Sequence, residues 1–362
     1  MTEKDFLPQK DFDTLIKEGK VTWKAPSNIA LVKYWGKKEN QIPQNPSVSF
    51  TLDASSTTTS LSFKKADQQL KDFSFELIFE GKEKPDFKPK IATFFKRVAP
   101  YVPFLKAYHF TVDTSNSFPH SSGIASSASA MAALALCLTS IEKQLGSAMD
   151  EAYFIKKASF LARLGSGSAC RSVEGGLVQW GKHGSIPESS DLFGMRYPYE
   201  VHHSFSNFQD TILLVDKGQK QVSSSVGHNL MHGHPFAASR FDQAIHHLND
   251  LQAIFSEGNL EGFIKIIESE ALTLHAMMMA STPYFILMKP NTLEIINRIW
   301  QFREATRTHV CFTLDAGANV HVLYPEAEKE SVFQFIQDEL VAYCENGHYI
   351  CDRIGKGARQ LI

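Results

Sequence analysis

Residues 116–130 read NSFPHSSGIASSASA and lead directly into the apolar run AMAALALCL at 130–138. A proline and a Ser-Ser-Gly turn precede a predicted helix, whose first turn offers unpaired N–H groups and the positive end of the helix dipole. Because small residues let a backbone approach a ligand closely, this stretch predicts a cradle for an anion, most often a phosphate. The alternative is a Ser-rich loop that caps an ordinary buried helix, and this stretch alone favours neither.

Length predicts two lobes and composition a soluble globular protein, and the order of the predicted strands and helices suggests two α+β lobes with a cleft between them. The chain has 362 residues, more than one typical domain, and its 43% hydrophobic and 21% charged residues are those of a globular protein. We divide it into an N-terminal extension (1–21) with no inferred role, an N-terminal domain (22–200) and a C-terminal domain (201–362). The net charge of −2 predicts no nucleic-acid partner, so any phosphate chemistry relies on locally concentrated Lys and Arg.

The chain shows no sign of secretion or of membrane insertion. Its first twenty residues are charged and lack an apolar segment, and its longest apolar run, 130–138, is far shorter than the roughly 20 residues of a membrane span. The five cysteines are odd in number and form no CxxC motif, which is typical of reduced thiols. We therefore expect a cytoplasmic protein.

Apolar periodicity predicts the elements that carry the motifs. Residues 48–53 and 57–64 alternate apolar and polar side chains, as two half-buried antiparallel strands would. Residues 150–164 have the spacing of an amphipathic helix that ends near Gly165, and 327–344 predict a long helix near the end of the chain.

A cationic and aromatic cluster lies in APSNIALVKYWGKK at 25–38. Its apolar positions predict a strand or a short helix, after which Lys33, Tyr34, Trp35 and Lys37 follow closely around a glycine. The alternative is a solvated basic turn, but a tryptophan beside a glycine is unusual there, and we favour a functional role.

Two further segments place polar groups where a ligand site needs them. GSGSACRSVEGG at 165–176 combines glycines and serines with Arg171, which can grip a carboxylate or a phosphate with two parallel hydrogen bonds. A flexible linker is the alternative, although the buried strand predicted for LVQWGK directly afterwards disfavours it. In FTLDAGAN at 312–319, Asp315 follows an apolar strand and precedes a turn; alone it is best explained as a turn cap, but the other three segments favour a cleft residue.

These four segments, in this order, resemble the diphosphomevalonate decarboxylase family of the GHMP kinase superfamily. The resemblance runs from about Val21 onward and rests on APxNIAxxKYWGK, FPxxxGxASSA, GSGSACRS and DAGxN. It implies a two-lobe GHMP kinase fold with the active site in the cleft between the lobes. It also implies ATP-dependent decarboxylation of mevalonate 5-diphosphate to isopentenyl diphosphate, with Mg²⁺, no other metal, and a homodimer.

The resemblance also implies roles for individual residues. Asp315 orients or deprotonates the 3-hydroxyl, Lys33 is the cation beside that centre, and Arg171 holds the C1 carboxylate. Ser127 contacts the ATP phosphates, together with Ser121, Ser122, Gly123, Ala125 and Ser126. The substrate is expected to contact Asn28, Tyr34, Trp35, Gly36, Lys37, Ser166, Gly167, Ser168, Ser224 and Ser225.

Departures from the family pattern and other functions stay open. Leu164 stands where the family usually has a basic residue, Ala318 replaces a proline, and residues 120–122 differ from the usual Thr-Ala-Ala-like stretch. A sibling that acts on mevalonate 5-phosphate, a kinase that stops at the 3-phosphate, and a binding-only relative are the alternatives. His228, His232 and His234 suggest a zinc site, but Gly233 and Pro235 would interrupt a helix there, so we interpret all three as loop histidines.

Overall fold

The computed structural model describes residues 1–8, 16–119, 124–217 and 224–362. In these ranges the strands are β1 (Glu18–Val32), β2 (Ser47–Lys65), β3 (Ser74–Phe79), β4 (Lys82–Glu83), β5 (Tyr108–Asn116), β6 (Leu177–Trp180), β7 (Met195–Arg196), β8 (Gln209–Leu213), β9 (Cys311–Leu314), β10 (Val320–Tyr324), β11 (Tyr349–Arg353) and β12 (Arg359–Gln360). The α-helices are α1 (Lys88–Val98), α2 (Ser126–Gln144), α3 (Glu151–Gly165), α4 (Ser224–Asn229), α5 (Ala237–Glu257), α6 (Leu260–Met279), α7 (Pro290–Thr306) and α8 (Lys329–Phe335). The expected α+β class is confirmed.

The first sheet contains β1 to β7 and β12 and is built around the long β1–β2 pair. Its main order is β12-β1-β2-β5-β3-β4, with β6 on the other part of β2 and β7 beyond β6. The strands predicted at 48–53 and 57–64 are one continuous strand, because β1 pairs antiparallel with both halves of β2. A register shift between Pro26 and Asn28 absorbs the irregular middle.

Helices α2 and α3 cover one face of this sheet. Helix α2 is buried over most of its length, since its alanines let it pack closely against β1 and β2. Helix α3 begins as predicted: the Asp150 side chain accepts a hydrogen bond from the Tyr153 N–H at 2.7 Å, which caps the first turn. Between the two helices, buried Lys157 and Glu142 form an ion pair of 2.5 Å.

The second sheet has the antiparallel order β11-β8-β10-β9 and packs against α6 and α7. The predicted helix at 327–344 is only partly continuous. The 3₁₀ turn Glu326–Glu328 precedes α8, and a π-helical turn (Ile336–Leu340) and a second 3₁₀ turn (Val341–Tyr343) follow it.

The two sheets are joined directly. Buried Asp352 on β11 accepts hydrogen bonds from the backbone N–H groups of Asp53, Ala54 and Ser55 on β2, at 2.7–2.9 Å. The chain then returns to the first sheet, where β12 pairs with β1. The division of the chain at residue 200 stays a prediction.

Two further observations concern the cysteines and the apolar character of the helices. All five cysteines are free thiols, and Cys351 alone among them is exposed. Among the residues described, none of the helices combines the length and apolar character that a membrane span requires.

Candidate active site

A cleft of about 500 Å³ receives residues from all four motifs. The end of β1, the turn after α3, the first turn of α2 and the loop after β9 meet there, although they lie far apart in the sequence. The predicted site residues on its wall are Asn28, Lys33, Tyr34, Trp35, Lys37, Ala125, Ser126, Ser127, Ser166, Gly167, Ser168, Arg171 and Asp315.

Some predicted residues lie beyond what the structure describes. Ser121, Ser122 and Gly123 fall outside the described residues. The backbones of Ser224 and Ser225 form the start of α4, while their side chains lie outside the description.

Lys33 and Asp315 form an ion pair in the cleft. The Lys33 Nζ lies 3.2 Å from Asp315 Oδ1; the lysine side chain is 3% exposed and the aspartate side chain 30% exposed. Burial lowers the pKa of Lys33, and the nearby Asp315 carboxylate opposes that shift. An ammonium held beside a carboxylate that still faces the cleft is suited to bind a hydroxyl group that is losing its proton.

The peptide groups of Lys33 are held from both sides by residues that the sequence analysis did not identify. Glu270 on α6 accepts a hydrogen bond from the Lys33 N–H at 2.8 Å. Arg240 on α5 and Asn45 donate to the Lys33 carbonyl at 3.2 and 3.0 Å. The position of the ammonium is therefore set by the second half of the chain as well as by β1.

Arg240 and Glu270 form a buried ion pair of their own. Arg240 donates to both carboxylate oxygens, at 3.0 and 2.5 Å, and His247 lies 2.7 Å from Glu270 Oε1. Burial would raise the pKa of Glu270, but the charge of Arg240 and the hydrogen bonds from His247 and the Lys33 N–H outweigh it, and the pKa is lowered. Glu270 is thus a carboxylate that holds Lys33 in place.

His275 on α6 fixes the loop that carries Asp315. Its Nε2 lies 3.1 Å from the Asp315 carbonyl oxygen. Burial lowers the pKa of His275 to about 4, so the ring is neutral at pH 7 and its Nε2–H donates to that carbonyl.

Arg171 is buried and held by serines of β2. Its Nε donates to Ser49 Oγ and its Nη1 to Ser47 Oγ, each at 2.6 Å, and the guanidinium lies 5.6 Å from the ring centre of Trp180. Burial lowers its pKa, and the negative charge of Asp315 opposes that shift only in part. A ligand carboxylate would stabilise this buried cation further.

The turn after α3 packs closely against β1. The Asn28 side chain donates to Ser172 Oγ at 2.7 Å and to the Ser168 carbonyl at 3.2 Å. A Cβ on Gly167 would lie 2.7 Å from the Tyr34 hydroxyl oxygen, so only glycine permits this approach. Burial raises the pKa of Tyr34, which keeps its hydroxyl protonated.

Gly36 and Lys37 follow in a turn that needs a glycine, since Gly36 has φ of +97°. The Gly36 N–H donates to His228 Nδ1 at 3.0 Å, and Lys37 Nζ donates to Gln41 at 3.1 Å. The interpretation of His228 as a loop histidine is wrong, because it lies on α4 and its ring lines the cleft. The α4 helix ends at Asn229, so His232 and His234 lie beyond it, and no group of three metal-binding side chains occurs in the described ranges.

The first turn of α2 opens into the cleft. Ala125 precedes the helix in a left-handed conformation (φ 41°, ψ 38°), which directs the chain into the first turn. Ser127 Oγ accepts a hydrogen bond from Lys90 Nζ on α1 at 2.6 Å. Lys90 thus brings a positive charge to the N-terminus of α2. The lysine charge and the helix N-terminus both favour a phosphate at this place.

An apolar part of the cleft adjoins this helix start. It is lined by side chains of β3, β5, α1 and α2 together with one preceding turn, namely Leu77, Phe79, Phe87, Ile91, Val112 and Met131. Such a surface suits a flat, weakly polar ring next to the phosphate cradle.

Comparison with known proteins assigns both halves of the chain. Residues 25–191 match the model of the diphosphomevalonate decarboxylase-like N-terminal domain, and residues 211–356 match that of the mevalonate 5-diphosphate decarboxylase C-terminal domain. The diphosphomevalonate decarboxylase of Ganoderma lucidum is 28% identical over 87% of this chain and 80% of its own length. That of Bos taurus is 28% identical over 83% and 76%.

Solved structures give the same result. Mevalonate diphosphate decarboxylase from Staphylococcus aureus superposes with a TM-score of 0.80 at 28% identity, over 96% of this chain and 99% of that chain. The enzyme from Enterococcus faecalis gives 0.79 at 27%, over 95% and 99%. A solved complex with MVAPP, AMPPCP and magnesium gives 0.80 at 28%, over 95% and 99%.

Proposed function

This chain belongs to the diphosphomevalonate decarboxylase family, and we propose that it catalyses the ATP-dependent decarboxylation of mevalonate 5-diphosphate to isopentenyl diphosphate. The products are isopentenyl diphosphate, ADP, phosphate and carbon dioxide. The two-lobe α+β fold that the resemblance implies is confirmed by the superposition on solved members. The observation that carries the proposal is the Lys33–Asp315 pair inside a cleft that Arg171 also lines.

In the first step, the 3-hydroxyl of the substrate attacks the terminal phosphorus of ATP and ADP leaves. Asp315 accepts the hydroxyl proton or orients the hydroxyl for attack. Lys33, at 3.2 Å from that carboxylate, offsets negative charge on the transferring phosphoryl group. A tertiary hydroxyl is a poor leaving group, and its phosphate ester is a good one.

In the second step, the C3–O bond breaks and phosphate leaves with the bonding electrons. The electrons of the C1–C2 bond then form the C2=C3 double bond, and carbon dioxide is released. Arg171 holds the C1 carboxylate so that this bond is aligned with the departing phosphate. Its anchoring by Ser47 and Ser49 supports that role, because a fixed guanidinium loses little freedom on binding.

ATP fits the part of the cleft formed by α1, α2 and β5. Ser126 and Ser127 with Lys90 supply donors for phosphate oxygens, and the apolar part of the cleft suits the adenine ring. Mg²⁺ would accompany the ATP phosphates, with the hydroxyl of Ser127 as the protein oxygen beside them. When bound, it would neutralise phosphate charge.

We also propose that the enzyme is a cytoplasmic homodimer that binds neither nucleic acid nor membrane. Five free thiols and a net charge of −2 support the location and the lack of a nucleic-acid partner. The family resemblance suggests the dimer, which sedimentation of the purified chain would test.

A coupled assay of ADP release tests the proposal against its nearest alternatives. Mevalonate, its 5-phosphate and its 5-diphosphate are each supplied with ATP, and isopentenyl diphosphate is measured in parallel. Equal amounts of ADP and isopentenyl diphosphate, with the 5-diphosphate alone, are expected. ADP without decarboxylation would indicate a kinase of this fold, and no turnover with any substrate would overturn the enzyme assignment.

A further inference from the structure

His228 is a buried, neutral imidazole on the wall of the cleft. Its ring is 7% exposed and lies 4.2 Å from the ring of Tyr34 and 4.8 Å from that of Trp35, between ring centres. Burial, together with the positive charges of Lys37 and Arg171, lowers its pKa to about 3. At neutral pH the ring carries one N–H and no charge.

The hydrogen bond from Gly36 determines which nitrogen carries that proton. The Gly36 N–H donates to His228 Nδ1 at 3.0 Å, so Nδ1 is an acceptor and the ring proton is on Nε2. Among the residues that the structure describes, no hydrogen-bond partner of Nε2 is found. A donor with a fixed orientation is therefore present in the cleft wall.

The neighbours of His228 identify what this donor meets. Lys37 and Arg171 are close enough to shift its titration, and both line the same cleft. Tyr34, in ring contact with it, and Ser224 and Ser225, one helical turn before it, are among the residues to which the resemblance assigns the substrate. The positive charges and polar residues around the His228 side chain thus favour an anion with several oxygen acceptors.

We propose that His228 is a substrate-binding residue whose Nε2–H donates a hydrogen bond to the diphosphate group of the substrate. This inference rests on the proposed function for the identity of the anion. A neutral donor adds a directed contact without placing a third positive charge beside Lys37 and Arg171, and the backbone of Gly36 holds the imidazole in the orientation required.

Nitrogen NMR of the full chain labelled with ¹⁵N-histidine tests this without turnover. The His228 signals, assigned from the spectrum of His228→Gln, are expected to show the Nε2–H tautomer. Inorganic diphosphate, and then mevalonate 5-diphosphate, should shift Nε2 and leave Nδ1 nearly unchanged. A proton on Nδ1, or an Nε2 signal that neither anion moves, would overturn the proposal.

Two substitutions separate binding from support of the turn. His228→Gln keeps an N–H near the place of Nε2, whereas His228→Asn keeps an acceptor for Gly36 near the place of Nδ1 and removes the donor. We expect His228→Asn to raise KM for mevalonate 5-diphosphate about tenfold, with KM for ATP within about twofold, and His228→Gln to stay near the original KM. The opposite order would mean that His228 only supports Gly36.

His232 provides a matched control, and turnover measured together with the NMR shift separates the role of His228 from the proposed function. His232→Gln, at an exposed position four residues further on, should change neither KM. If the unaltered chain turned over none of the three substrates while inorganic diphosphate still shifted Nε2, the proposed function would fail and the binding role would stand. Turnover of mevalonate 5-diphosphate, with a His228 Nε2 signal that neither anion shifts, would contradict the role of His228 and leave the proposed function standing.

Discussion

Lys33 shows how the environment of one side chain determines its chemistry. Its side chain is 3% exposed, and its ammonium lies 3.2 Å from the Asp315 carboxylate. Burial lowers the pKa of Lys33 more than the carboxylate raises it. The lysine therefore loses its proton at a lower pH than an exposed lysine would, and with it the charge that we propose stabilises phosphoryl transfer.

Substitution of Lys33 should remove a charge needed in the transition state. We expect Lys33→Gln to lower kcat by about 10²–10³-fold and to leave KM for ATP nearly unchanged. In the unaltered enzyme, kcat should fall as pH rises into a range below that of ordinary lysines, and this decline should be absent in the variant. Measured pH profiles of both proteins check this, with Lys265→Gln, an exposed lysine on α6, as the control. An unchanged alkaline decline in Lys33→Gln would assign it to another group.

At the scale of elements, the β1 strand and helices α5 and α6 make one structural unit around the Lys33 backbone. Glu270 accepts a hydrogen bond from the Lys33 N–H, and Arg240 donates one to the Lys33 carbonyl. These two side chains also form a buried ion pair. Breaking a buried pair on one side leaves an uncompensated charge, which costs more than the pair itself contributes. We call Glu270 and Arg240 the Lys33 clamp.

The Lys33 clamp should matter for stability and for activity in separable ways. Glu270→Gln is expected to lower the free energy of unfolding by about 3–5 kcal/mol, because Arg240 is left buried without a countercharge. Both Glu270→Gln and the double variant Arg240→Met with Glu270→Met should have a lower kcat, and the double variant should recover most of that stability, because of the three side chains that hold the Lys33 peptide groups only Asn45 is then left. Urea unfolding and steady-state kinetics check both effects, with Glu261→Gln on the same helix as control. Full activity in the double variant would contradict the positioning role.

The sequence was a good guide to short-range features and a poor one to long-range partners. The helix predicted at 150–164 and the strand before Asp315 are local features, and the structure contains both. The continuity of β2 was missed because it comes from pairing with β1, and Glu270, Arg240 and Lys90 were missed because each is an ordinary helix residue until the fold brings it to the cleft. The prediction for His228 was wrong because Gly233 and Pro235 lie beyond the end of α4 at Asn229 and therefore do not interrupt the helix at His228.

At the scale of the whole molecule, residues 3–6 at the start of the N-terminal extension pack against helix α3. Phe6 is fully buried and stacks on Phe160 of α3, with ring centres 4.2 Å apart. The Tyr153 hydroxyl donates to the Asp5 carbonyl at 2.9 Å, and Arg163 lies 3.6 Å from Glu3. The extension thus completes the first core, a role that its charged sequence did not suggest.

Removal of the Phe6 ring should destabilise the whole N-terminal half. We expect Phe6→Ala to cost about 3–5 kcal/mol of unfolding free energy, through lost burial and the cavity that remains. Phe236→Ala, at a side chain that is 58% exposed, should change it by less than about 0.5 kcal/mol. Denaturant titrations of the two variants provide the comparison, and equal losses would show that the contact of Phe6 with α3 contributes little.

In the proposed reaction the 3-hydroxyl becomes a phosphate ester before carbon dioxide leaves, and the fate of its oxygen atom distinguishes this order from ATP hydrolysis by water. Mevalonate 5-diphosphate labelled with ¹⁸O at the 3-hydroxyl is converted with ATP, and the inorganic phosphate is analysed by mass spectrometry. Since the C3–O bond breaks in the second step, each phosphate formed should carry one ¹⁸O. Phosphate without the label, formed together with isopentenyl diphosphate, would mean that ATP is hydrolysed by water and would contradict the roles given to Asp315 and Lys33.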